Sequence, residues 1–136
     1  MKADNKALLL QLLKQHKELG ISNQIDYDKF YLYSIITHST AIEGSTVTEV
    51  EAQLLFDEGI TAKGKPMVEQ LMNLDLKNAY EYGREWIKNH EDITIDTLIL
   101  LASKVMARTG SEYNSLGGHF DASKGELRKL NVTAGA

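Results

Sequence analysis

Apolar residues recur along this chain at steps of three and four from its start to Arg108, the spacing that gathers them on one face of an α-helix. Five such stretches are predicted. The first, Ala3–Glu18, is rich in Leu, Lys, Gln and Ala, all good helix formers, and Gly20 stands where a C-cap glycine is expected. In the second, Ile25–Glu43, the residues Leu32, Ile35 and Ile36 share a face that Ser39 and Glu43 continue, and Gly44 ends the helix. A third starts at Thr48 and Glu51, spaced as a capping box, with Val47 placed to staple onto Ala52, and it stops at Gly59. After a turn over residues 60–65, Pro66 suits the first position of a long helix, Met67–Lys88. Its residues Val68, Leu71, Met72, Ala79, Tyr82 and Trp86 point toward a core, and Gly83 marks a place for close helix approach. Thr94 caps a fifth helix through Arg108, with Leu98, Leu101, Ala102 and Val105 inward.

Beyond Thr109 the helical period is lost, and Gly110, Gly117, Gly118 and Gly125 punctuate a polar stretch that reads as loop. Leu127–Thr133, with apolar Leu127, Leu130 and Val132, is predicted as a short strand that needs a partner to be stable. The expected fold class is therefore mainly α: a bundle of about five helices followed by a short C-terminal β segment. Residues 1–24 form an N-terminal helix and connection, and 25–136 are expected as one structural body.

With 136 residues, 43% of them hydrophobic and 25% charged, the chain has the length and composition of one ordinary domain. A net charge of −4, with no basic stripe, argues against nucleic-acid binding, which rests on neutralising phosphates. The longest apolar runs, Ala7–Leu10 and Leu98–Ala102, are too short to cross a bilayer, and the Met-Lys-Ala-Asp start lacks an apolar signal core. The expectation is a soluble, cytoplasmic protein with no membrane partner. Without cysteine there is no disulfide, thiol nucleophile or thiolate metal site.

The usual chemical constellations are missing. His38 and Glu43 lie about 140° apart around a helix, which defeats a shared metal site, and His119 beside Asp121 in a glycine-rich stretch reads as a surface histidine. No metal site is predicted. There is no G-x-S-x-G elbow, Walker loop or dinucleotide fingerprint, and Gly64-Lys65 is a turn. What resists a bland reading is Ser39-Thr40-Ala41-Ile42-Glu43-Gly44. Ser39 and Glu43 stack at i and i+4, and the helix stops at once, leaving a carboxylate at the C-terminal end, where the helix dipole disfavours negative charge. Such a group either points to solvent or meets a cation.

The run from His38 to Phe56 resembles the beginning of Fic (filamentation induced by cAMP) proteins, whose inhibitory motif is Ser/Thr-x-x-x-Glu-Gly/Asn. Ser39, Glu43 and Gly44 match it, and Thr48 with Glu51 matches the capped helix that follows. Farther on, Gly125-Glu-Leu-Arg-Lys-Leu-Asn-Val132 resembles the G-x-x-R-x-x-x-V segment at the first strand of that family's flap hairpin. The resemblance covers roughly Phe30 to the end and is that of class II members, in which an N-terminal inhibitory helix precedes the catalytic core.

The resemblance implies a largely helical protein adenylyltransferase. In such proteins AMP passes from ATP, with Mg, to a hydroxyl side chain of a target protein. The family's H-x-F-x-D/E-G-N-G-R-x-x-R motif supplies the general base, the metal ligand and the phosphate cradle, and the inhibitory glutamate pairs with its last arginine. That motif does not occur in this sequence. The resemblance therefore implies a regulatory N-terminal part that is inactive and free of cofactor by itself, with no catalytic residue to assign. Ser39, Glu43 and Gly44 are expected as its inhibitory motif, and Gly125, Leu127, Arg128 and Val132 as a flap segment that positions the target by strand addition. Its expected partners are the rest of the Fic core, a target protein and, through exposed apolar stripes, a second copy of itself. The alternative is a freestanding antitoxin-like inhibitor that binds a separate Fic protein.

Overall fold

The computed structural model describes residues 2–131, with side chains from residue 4. The protein is mainly helical: α1 (Lys2–Glu18), α2 (Tyr27–Ile42), α3 (Glu49–Glu58), α4 (Met67–Lys88) and α5 (Ile95–Val105) precede an antiparallel hairpin of β1 (Glu112–Ser115) and β2 (Gly118–Asp121). Single 3-10 turns occupy Ile21–Asn23 and Ala122–Lys124. The chain divides into two compact units, Met1–Tyr31 and Leu32–Ala136, and the division falls inside α2.

The first unit holds α1, on which Leu8, Leu9, Leu10, Leu12 and Leu13 are all about half exposed. Gly20 takes a left-handed conformation just past the helix end, as its position in the sequence predicts. Asp26 accepts a hydrogen bond from the Lys29 amide at the start of α2, and Tyr27 stacks on Tyr31 one turn later.

In the second unit, among the described residues, the buried apolar side chains are Ile36, Val47, Ala52, Leu55, Ala62, Ala79 and Phe120. They are matched by an equal number of buried polar ones: Thr37, Thr40, Ser45, Gln70, Asn73, Asp75 and Asp121. Hydrogen bonds therefore share with apolar burial the work of fixing how these elements join. The Gln70 side chain accepts from the Ala62 amide and donates to the Ala62 and Lys65 carbonyls, which shapes the turn ahead of α4. Both predicted caps form. Thr48 and Glu51 make a reciprocal capping box at 2.8 and 3.3 Å, and Thr94 pairs with Thr97 in the same way. Pro66 sits one place before its expected position, as the N-cap of α4.

Three expectations of the apolar pattern change. Val68 and Leu98, predicted to point inward, are about half exposed, because no described element of the second unit covers those helix faces. Gly83 marks no close approach: a Cβ built there meets only the Leu101 side chain, at an ordinary 4.0 Å. The fifth helix ends at Val105 rather than Arg108, since the Arg108 amide is taken by the Asp75 carboxylate at 2.8 Å instead of a helical carbonyl.

The β structure also falls elsewhere than predicted. The hairpin lies in the stretch read as loop, with Tyr113 opposite Phe120 and their rings stacked at 4.9 Å. Residues 127–131, expected as strand, are irregular, and Val132 and Thr133 lie outside the described residues. Gly125, at φ 71°, closes the 3-10 turn so tightly against α5 that a Cβ would collide with the Ile99 carbonyl oxygen. That contact anchors the end of the hairpin to α5.

Candidate functional site

The end of α2 is held from behind by a buried polar network. The Thr40 hydroxyl lies 3.0 Å from the Asn73 Oδ1 atom and 3.1 Å from the Thr37 carbonyl oxygen. The Asn73 amide nitrogen in turn donates to the Ser45 hydroxyl at 3.2 Å and to the Glu69 carbonyl at 2.9 Å. Asn73 is fully buried. One α4 side chain thus grips both the last turn of α2 and the loop that leaves it.

The loop is clamped a second time. Glu69 accepts from the Thr46 amide at 2.9 Å and from the Thr46 hydroxyl at 2.8 Å, and these two bonds hold its carboxyl below the usual carboxylate range. The Lys65 ammonium donates to the Thr46 carbonyl at 2.6 Å and lies 3.7 Å from Glu51. Glu51 is likewise lowered, first by the Thr48 amide it caps. Gly44 makes the reversal between helix and clamp at φ 96°, a conformation a side chain would disfavour.

This framework presents Ser39, half-buried, and Glu43, exposed, to a cavity of about 590 Å³. The cavity floor is apolar and includes Val68, Met72 and Met106, and Arg128 also lines it. Glu43 and Arg128 form no ion pair with each other, and among the described residues neither is paired elsewhere. A carboxylate and a guanidinium without partners among the described residues therefore border one apolar-floored hollow, where each gains from a partner of opposite sign more than it would in open water.

The expected site residues separate accordingly. Ser39, Glu43 and Arg128 come together, with Gly44 next to them. Gly125 is buried against α5, where it acts in packing, and Leu127 is 66% exposed. Val132 lies outside the described residues. The cavity offers a single carboxylate, and among the described residues no group of three or more His, Cys, Asp or Glu side chains is placed to hold a metal ion. No protein-family model matches the chain, nor does any curated protein or solved structure.

The sequence reading missed Thr40, Ser45, Glu69 and Asn73, which position this site. In one sequence a buried Asn looks like an exposed one and a clamping Glu like a solvated one, and the apolar positions Val68 and Met72 drew the predicted inner face of α4 away from Gln70 and Asn73.

Proposed function

We propose that this chain is the N-terminal regulatory part of a Fic protein that in its complete form transfers AMP from ATP to a hydroxyl side chain of a target protein. In this reading the end of α2 is the autoinhibitory element. The observation that supports it is Glu43, without a partner among the described residues, one turn beyond Ser39 at the rim of an apolar-floored cavity, on a helix end whose Thr40 and Ser45 are tied to Asn73. An incoming arginine lays its stem on that floor and its guanidinium on Glu43, where the helix end otherwise leaves the negative charge uncompensated. An arginine held in this way is not available to a nucleotide phosphate. ATP and magnesium belong to the complementing catalytic motif, and this chain's residues contribute the inhibitory contact alone.

The test is ATP-dependent AMP incorporation by the complete protein, wild type against Glu43→Gly. Loss of one charge-assisted contact, worth about 1.5–3 kcal/mol, predicts a rise of roughly tenfold to a hundredfold in labelling. Unchanged labelling rejects the inhibitory role. Incorporation by these 136 residues alone would also overturn the reading, because it requires catalytic groups that the proposal places elsewhere.

A further inference from the structure

A second cavity, of about 410 Å³, opens between α4 and the end of α5, and Asp75, Asn78, Tyr82, Lys104 and Arg108 line it. On α4 the residues 75, 78 and 82 fall at steps of three and four and share one face. Asp75, only 1% exposed, receives the Arg108 Nε–H at 2.6 Å on one oxygen and the Arg108 amide at 2.8 Å on the other. Both carboxylate oxygens are satisfied and the guanidinium plane is fixed. This pair does not use the two terminal amino groups of Arg108, whose side chain is 43% exposed. Lys104 is steadied too, its ammonium 5.5 Å from the centre of the Tyr82 ring.

The charges at this cavity sum to one net positive: two cations against one carboxylate that is already neutralised. Cations in the last turn of a helix complement its dipole, and Lys104 would do so from any side of that turn. The dipole does not require Lys104 to share one hollow with a tethered guanidinium and the side chains of Asn78 and Tyr82. Donors held in advance lose little freedom when a ligand arrives, and an arginine fork of this kind matches the planar or tetrahedral oxygens of a carboxylate or phosphate.

We propose that this cavity is an oxyanion-binding site, with Arg108 as the fixed fork, Lys104 as the second charge and Asn78 and Tyr82 as orienting donors. It is separate from the Glu43 cavity and does not depend on the function proposed above.

The test is a proton–nitrogen NMR titration of the full chain with inorganic phosphate and, in parallel, acetate at equal ionic strength. Saturable shifts are expected at the Arg108 Nε–H and the Asn78 side-chain amide, with an affinity that drops about tenfold or more in Lys104→Glu and falls with added salt. Lys104→Gln, which removes the charge without reversing it, should lie between. Thermal unfolding midpoints within a few degrees of wild type show that the variants fold, and if Lys104→Glu fails this check the Gln variant carries the comparison. Saturation by phosphate alone assigns a phosphate-bearing ligand, saturation by acetate alone a carboxylate, and saturation by both an oxyanion site that takes either. Shifts that do not saturate, that spread evenly over other Lys and Arg residues, or that are unchanged in both Lys104 variants overturn the proposal and leave Asp75–Arg108 as a purely structural link.

Discussion

Glycines 83 and 125 show how little residue type says without its surroundings. Gly83 lies inside α4, and the space where its Cβ would go is bounded only by the Leu101 side chain at 4.0 Å. Nothing at that position requires glycine, so Gly83→Ala is expected to stabilise the fold by about 0.5–1 kcal/mol through helix propensity and a less flexible unfolded chain. Gly125 is the opposite case. Its φ of 71° and its contact with the Ile99 carbonyl leave no room, and Gly125→Ala should cost several times more than the Gly83 change gains. Urea unfolding of the two variants beside the wild type measures both. Equal effects of one sign would mean that backbone packing at Gly125 is looser than described. The resemblance read a flap residue at this position, and the close contact with α5 gives that glycine a packing reason of its own.

Among the elements, those that the sequence announced carry local chemistry close by. The capping box of α3 joins residues three apart, and both of its bonds appear. Thr48→Ala should therefore cost about 1 kcal/mol, with lost protection from amide exchange concentrated at the first turn of α3, and uniform loss across the unit would contradict a local role. Helices, caps and terminal glycines were legible because each depends on neighbours within one or two turns. The hairpin was not. Its strands Glu-Tyr-Asn-Ser and Gly-His-Phe-Asp show one apolar pair, Tyr113 with Phe120, and the surrounding glycines signal loop as strongly as turn. At the candidate site, Ser39 and Glu43 were legible from their spacing, but their meeting with Arg128 joins parts of the chain far apart in sequence. So does the Asn73 network behind them, and local pattern carries no record of either.

For the whole molecule, the carboxylates with shifted titration make a joint statement about pH. Glu69, Glu51 and Asp121 are lowered below their ordinary values, chiefly by the Thr46 amide, the Thr48 amide and the Ser123 hydroxyl respectively. A carboxyl that is more acidic in the folded state contributes stability above its unfolded value, and that contribution is lost as pH falls through the folded value. The ordinary values are 4.5 for the two glutamates and 3.8 for the aspartate. Urea midpoints should therefore be flat above about pH 5.5 and fall steadily below about pH 4.5. Glu69 in the first turn of α4 holds the loop after α2, Glu51 lies at the start of α3 and Asp121 at the end of the hairpin, so acid loosens the second unit in several places at once. Glu69→Gln removes one titrating group while keeping an acceptor for Thr46, so it should start less stable at neutral pH and lose less on acidification. A wild-type midpoint that holds steady or rises between pH 6 and about pH 3 would show that these contacts do not favour the charged carboxylates in the folded chain.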